Sequence, residues 1–300
     1  MASTLKNVAI IGASGSIGKI ILGGLIDSAQ FNVTAISRNT SDVTFPSGVA
    51  VIKTDFSDEG LVAAFKGQDV VISAVGATAF GEQKKLVDAA LRAGVKRFIP
   101  SEFSVSSQNQ AVLQLLPLFA QKKELVDYLR SKESEGLTWT GLATSGLLDW
   151  GIENGFLEFD LANRTATIWD GGNKSFTCTN EKQLGQAVVS VLQHPQETSN
   201  QYLFVASVET TQNEIIAALE EVSGESWTVT HTTTDTQVNE GFKKLQAGDF
   251  SGAFALVRAT AFGNTPGLHA NYAKDEKLAN DILGLSLEDV KDVVKRVLKK

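Results

Sequence analysis

The 300-residue sequence predicts an α/β protein: a doubly wound parallel sheet in residues 1–150, with a strand near 201–206 returning to it, and a smaller α+β lobe in residues 151–300. Three observations carry this expectation. From residue 5 to about residue 142, short β-branched runs alternate with helical segments, the rhythm of parallel strands joined by crossover helices. The first of these runs, Val8 to Ile11, passes straight into three glycines spaced three apart, Gly12, Gly15 and Gly18. Finally, 43% hydrophobic and 20% charged residues over this length suffice for a large buried core.

Taken in order, Val8 to Ile11 is a fully apolar run, as a strand covered on both faces requires. The glycine turn leads into an apolar helix from Lys19 to Ile26, where Ile17, Ile21 and Leu25 fall on one face. Val33 to Ile36, Val49 to Ile52 and Val70 to Ala74 read as the next three strands, with a helix over Ser57 to Lys66 between the last two. Gln83 to Ala93 is a helix closed by Gly94, and Arg97 to Pro100 the fifth strand. Ser104 to Leu116 reads as a long connection over the strand ends, Pro117 as the first turn of a helix reaching about Glu135, and Leu137 to Leu142 as the sixth strand. Beyond it, Arg164 to Trp169 and Ser175 to Thr179 flank Asp170-Gly-Gly172 like a hairpin. Glu181 to Leu192, Thr211 to Ser223 and Leu287 to Leu298 have helical period, and Tyr202 to Val205 is a further strand.

The glycine turn is a dinucleotide-binding signal in this context of strand before and helix after. Gly12 allows a tight reversal, Gly15 lets backbone approach a pyrophosphate, and Gly18 lets the helix pack close to the sheet. Free N–H groups at the helix start favour an anion, and Ser14 and Ser16 add hydroxyl donors beside Ile17. The second strand ends about twenty residues past the last glycine, where the adenine-side ribose belongs. Ser37 and Arg38 stand there, and a guanidinium suits a 2′-phosphate where an acidic residue would suit a free hydroxyl, so NADP(H) is the expected cofactor. Asp55, before Phe56, reads either as a carboxylate beside the adenine amino group or as a cap for the helix that follows. Ala74, Val75 and Gly76 are small enough for the chain to pass beneath a cofactor, and Ser101 lies at the carboxyl end of the fifth strand, where ligands of open α/β sheets sit.

The helix after the fifth strand starts beside those strand ends and carries Lys122 and Lys123 in its first turns. An ammonium there can bond the nicotinamide ribose, neutralise a developing oxyanion or transfer a proton if burial lowers its pKa. Tyr128 and Lys132 spell a Tyr-x-x-x-Lys pair on the same helix, but Lys132 is ten residues beyond Lys122, roughly 15 Å further from the strand ends. Phe80, Phe103, Gly146, Leu147, Trp150 and Phe156 are the expected substrate surround.

Net charge of -7 offers no basic stripe for nucleic acid, and no apolar run reaches the ~18 residues of a membrane helix. The single cysteine, Cys178, reads as a buried small hydrophobe, and His194, His231 and His269 have no metal-ligand spacing. A cytoplasmic monomer or homodimer acting on a small molecule is expected, without metal, membrane or nucleic acid; the acceptor-like triplets at Asn32, Asn39 and Asn163 are then compositional.

The glycine turn, Arg38, Arg97-Phe-Ile-Pro-Ser-Glu-Phe103 and Phe119-Ala-Gln-Lys122 together resemble the NmrA-like branch of the atypical short-chain dehydrogenases, near isoflavone reductase and phenylcoumaran benzylic ether reductase. The resemblance spans nearly the whole chain and is strongest through residue 142. It implies a Rossmann-type sheet, NADPH as hydride donor and Lys122 as the catalytic residue, and it sets Thr144-Ser-Gly146 beside the nicotinamide. The sequence departs from those reductases after the lysine, where Lys123-Glu-Leu-Val-Asp127 replaces a basic pattern. Reduction of a small aromatic or phenolic metabolite is the activity so implied. The alternatives are an NADP-binding redox-sensing regulator of the NmrA type, or a quinone reductase or isomerase.

Overall fold

The computed structural model describes residues 5–299. Its first half runs β1 (Asn7–Ile11), α1 (Ser16–Ser28), β2 (Asn32–Arg38), β3 (Ala50–Thr54), α2 (Asp58–Phe65), β4 (Val70–Ser73), α3 (Gln83–Ala93), β5 (Arg97–Ile99), α4 (Gln110–Leu115), α5 (Ala120–Ser131) and β6 (Thr138–Ala143). The second half runs β7 (Gly146–Leu147), α6 (Leu148–Glu153), β8 (Phe159–Asp160), β9 (Thr165–Trp169), β10 (Phe176–Thr179), α7 (Glu181–Gln193), β11 (Gln201–Phe204), β12 (Val208–Thr210), α8 (Gln212–Ser223) and β13 (Thr228–Thr232). It closes with α9 (Thr234–Gln246), α10 (Gly252–Phe262), α11 (Tyr272–Asp275), α12 (Asn280–Leu283) and α13 (Val290–Leu298).

Seven strands form one sheet in the order β11-β6-β5-β4-β1-β2-β3, every neighbour parallel. The apolar runs explain it: Val8, Ala9, Ile10 and all of β4 are fully buried, because helices cover both faces. On one face Ile21, Leu22 and Leu25 of α1 meet Leu184, Val188 and Val191 of α7. There the helices approach so closely that a Cβ on Gly24 would lie 2.7 Å from the Cα of Gly185. On the other face α2, α3 and α5 bury Leu61, Phe65, Leu86, Val87, Leu125 and Leu129. The chain leaves β1 for β2 on one side and returns to β4 on the other, so a crevice opens at the carboxyl ends of β1 and β4, where such sheets bind ligands. Residues 181–204 thus return to the large sheet after the chain has left it.

Arg97 anchors the amino-terminal end of β5. Its buried guanidinium donates to Thr138 Oγ1 (2.7 Å), Thr140 Oγ1 (2.8 Å), Thr198 Oγ1 (3.1 Å) and the Pro195 carbonyl (2.6 Å), tying β5 and β6 to the segment between α7 and β11. Burial lowers its pKa to about 10.

The remaining strands make two three-stranded sheets, β12-β10-β7 and β13-β9-β8, packed with α6, α8, α10 and α13 around Trp169, Phe176 and Phe262. The expected hairpin is therefore corrected: β9 and β10 lie in different sheets. Asp170, Gly171 and Gly172 all take positive φ, and the Asp170 carboxylate accepts the Thr234 N–H, so the turn is bound to α9 instead of closing a ribbon. The single helix expected from Pro117 to Glu135 is also broken, into short 3-10 turns at Pro117–Phe119 and Glu133–Glu135 on either side of α5. Among the described residues no helix is long and apolar enough to cross a membrane.

Candidate active site

The β1–α1 turn is built around close backbone approach. Gly12 has φ +78°, and a Cβ there would lie 2.4 Å from the Ala74 carbonyl oxygen at the end of β4. A Cβ on Gly18 would lie 2.0 Å from the Gly12 oxygen, so the helix starts tight against its own turn. Gly15 caps α1 without any side-chain acceptor, which leaves the first N–H groups facing outward beside exposed Ser14 and Ser16. Such an arrangement, with the positive end of the helix dipole behind it, can cradle an anion.

The cradle forms one wall of a cleft of about 530 Å³. Gly12, Ser14 and Gly15 line that wall, Ser37 and Arg38 at the end of β2 and Phe56 after β3 line it further on, and Ala74, Val75 and Gly76 line it after β4. Ser16, Ile17 and Gly18 stand behind the cradle in the first turn of α1, Ile17 packing on the sheet-side core. Arg38 is exposed at the carboxyl end of β2. Asp55 does not line the cleft; its carboxylate accepts the Ser57 N–H (2.9 Å), and hydrogen bonds from Ser57 hold it below the usual carboxylate range. Ser57 itself is the cap of α2, accepting from Gly60 N–H. Ser101 is buried behind the cleft: its hydroxyl donates to the Val75 carbonyl (2.8 Å) and its N–H to Gln83 Oε1 (2.9 Å), so it braces the β4 end. Phe45, Thr78, Glu82 and Lys85 line the cleft without having been expected, because they lie in aperiodic segments or on the first turn of a surface helix.

Lys122 is 3% exposed, far below what its type allows without partners. It stands in the first turn of α5, where Nζ donates to Ser104 Oγ (2.8 Å) and to the Glu102 main-chain carbonyl (3.1 Å). The rings of Phe80 and Phe119, edge to face with each other, lie 4.7 and 4.5 Å from Nζ. Burial pulls the ammonium down to about 8 against the opposing attraction of Glu102. The end of β6 closes the same corner, since the N–H groups of Thr144 and Ser145 both bond the Ser104 carbonyl.

The Glu102 side chain, whose part sequence reasoning missed, is fully buried. One carboxylate oxygen accepts from Tyr202 Oη (2.7 Å) and Ser107 Oγ (2.8 Å), and the other has no partner among the described residues. Burial pushes its pKa above the ordinary glutamate range, with Lys122, Tyr202 and Ser107 pulling back. Its partners lie on β11 and after β5, a long-range pairing that no local pattern announces.

Other expected residues separate. Phe80 stays with Lys122, whereas Phe103 and Leu147 pack in the sheet-side core near Ile99 and Leu142. Gly146 sits in β7 opposite Cys178. Trp150 and Phe156 pair at 5.5 Å, and Phe156 in turn meets Phe254 at 5.7 Å, while Arg258 lies against the Phe156 ring. Lys123 pairs with Asp127 on α5, Tyr128 donates to Asp88 of α3, and Lys132, just past α5, pairs with Glu135. Cys178 is buried with its thiol pushed up to about 12, an unreactive state. No cluster that fits a metal ion occurs among the described residues.

A model of the NmrA-like family matches residues 4–246. The chain is 39% identical over 299 residues to oxidoreductase aprR of Aspergillus flavus, covering 99% of each. It is 33% identical over 290 residues to oxidoreductase poxI of Penicillium oxalicum, covering 96% of this chain and 92% of that one. Among solved structures, the binary complex of leucoanthocyanidin reductase with NADPH from Vitis vinifera superimposes with a TM-score of 0.78 at 18% identity, over 98% of this chain and 100% of that one. At that identity the likeness is one of fold.

Proposed function

The chain belongs to the NmrA-like family, and from that premise we propose that it is an NADPH-dependent reductase of a small aromatic or phenolic metabolite. The observation that carries the reading is one short segment, Ala77–Glu82: its Thr78 and Ala79 line the cleft while its Phe80 covers Lys122. Dinucleotide site and buried lysine thus share a wall. The names of the relatives, oxidoreductases over nearly the whole chain, support the class of reaction.

The residues fit the cofactor. The Gly12 and Gly18 contacts leave a cradle that any side chain would fill, the α1 N–H groups receive the pyrophosphate, and Arg38 receives the 2′-phosphate. When bound, NADPH supplies the hydride. Lys122 Nζ holds the proton for the substrate oxygen that gains negative charge, and its lowered pKa makes that proton available near neutrality. Ser104 and the Glu102 carbonyl keep Nζ in place, and Phe80 and Phe119 exclude water from it.

A second reading, an NADP-binding redox sensor without turnover, is favoured by the almost complete burial of Lys122. Fluorescence titration with NADPH and NADH, followed by nicotinamide absorbance with aromatic ketones, enones and quinones, separates the two. Turnover lost in Lys122→Ala with binding retained supports the reductase. Tight NADPH binding with no turnover on any compound supports the sensor.

A further inference from the structure

Two ionisable groups are buried together where β5, α5 and β11 converge, and only one of them has a part in the chemistry proposed above. Glu102 is completely buried, yet its carboxylate meets just two neutral hydroxyl donors and leaves one oxygen without a partner among the described residues. A carboxylate kept there for packing alone would carry the whole cost of desolvation. The Lys122 ammonium faces the same cost in mirror image, and its direct bonds go to a hydroxyl and to the main-chain carbonyl of Glu102, not to a carboxylate.

We propose that Glu102 is the positioning residue for Lys122: its carbonyl anchors Nζ, and its carboxylate, clamped by Tyr202 and Ser107, is the fixed counter-charge that keeps the ammonium protonated. This deepens the reductase reading and rests on it for its catalytic meaning.

The clamp is rigid. Tyr202 Oη donates to the carboxylate and accepts the Ser107 N–H (3.2 Å), Gln108 Nε2 donates to Ser107 Oγ (3.0 Å), and a Cβ on Gly141 of β6 would strike the Tyr202 ring at 2.8 Å. The carboxylate therefore has one place to be. The groups that face it are Lys122 from α5, Tyr202 from β11 and the phenol of Tyr272 from α11, which accepts the Ser106 N–H (2.9 Å). Among the described residues Lys122 is faced by Glu102 as its charged neighbour, and its Nζ otherwise meets the Phe80 and Phe119 rings and the Ser104 hydroxyl. Removing the carboxylate charge leaves burial of Nζ unopposed, so the ammonium loses its proton at lower pH.

The test is the titration of Lys122 itself, read from side-chain NMR signals of the full chain labelled with [13C,15N]lysine and assigned by their loss in Lys122→Met. In Glu102→Gln the Lys122 midpoint is expected to fall by about one pH unit or more, tenfold or more in its ionisation constant. Tyr202→Phe removes one hydroxyl from the clamp and should move the midpoint the same way by less, and it carries the test if Glu102→Gln does not fold. The alkaline limb of the kcat profile should follow the midpoint, with NADPH affinity unchanged. A Lys122 midpoint that stays at its wild-type value in the folded variants overturns the proposal. If the wild type reduces no compound, the reductase reading fails while the NMR titration still decides whether Glu102 governs Lys122.

Discussion

The Lys122 ammonium lies 4.7 Å from the centre of the Phe80 ring, and Phe80 sits in the turn that also lines the cleft beside the glycine turn. A protonated lysine in that corner is the species the proposed chemistry needs, and it persists only below its pKa of about 8. Turnover should therefore be level below that pH and fall above it, in a profile of kcat against pH. Lys122→Ala should cost about 10²- to 10⁴-fold in kcat, the range expected for a positioned acid, while NADPH affinity changes little. A kcat that is flat through pH 9.5 would remove the proton from the mechanism.

The same burial has a stability signature. In the folded chain Lys122 loses its proton near 8, whereas in the unfolded chain the ordinary value of 10.5 applies. Between those two values the unfolded state binds more protons, so the contribution of Lys122 to stability improves as pH rises through that window. Below it, the folded state bears the full cost of a buried ammonium. Lys122→Met lacks this dependence. Its melting temperature relative to wild type should therefore decline from pH 8 to pH 10.5 in parallel thermal scans. A difference that is constant across that range would show that the lysine is less desolvated than its surroundings indicate.

The large sheet was legible because its central strands are short apolar runs with no polar face, and because the glycine turn leaves a spacing that few other structures require. Val8 to Ile11 and Val70 to Ser73 lie near the centre of the sheet for that reason. The smaller lobe was less legible. Gly146–Leu147 and Phe159–Asp160 are strands of two residues, too short for a period, and whether β9 pairs with β10 depends on where Asp170 finds its partner on α9. Phe103 and Phe80 look alike in sequence, yet one finds the sheet-side core and the other the lysine. The corner that Glu102 shares with Lys122 was half visible: the lysine stood at a suggestive helix start, but the Tyr202 that bonds the Glu102 carboxylate is a hundred residues away in the chain.

Arg38 stands exposed at the end of β2 and lines the cleft. If it receives the 2′-phosphate, Arg38→Ala removes charge-assisted hydrogen bonds of about 1.5–3 kcal/mol, roughly 10- to 150-fold in affinity. NADPH binding should weaken by that factor while NADH binding stays the same, since NADH has no phosphate to lose. Tryptophan-fluorescence titrations of both cofactors read this directly. Equal weakening of the two would assign Arg38 to the adenine or to the fold instead.

Glycines of α1 give a contrast within one helix. Gly18 can take no Cβ without a 2.0 Å contact on the Gly12 oxygen, and neither atom can withdraw without opening the cradle. Gly18→Ala should lose dinucleotide binding as well as stability. A Cβ on Gly24 would press on Gly185 Cα at 2.7 Å and wedge α1 from α7, so Gly24→Ala should lower the melting temperature while sparing the cradle. Gly23 has nothing within 4 Å of where its Cβ would be, and helical backbone there gains from losing glycine's freedom when unfolded. Gly23→Ala should stabilise by about 0.4–1 kcal/mol. Thermal melts with and without NADPH rank the three, and the ligand-induced rise in melting temperature should vanish in Gly18→Ala alone, because only that substitution enters the anion site.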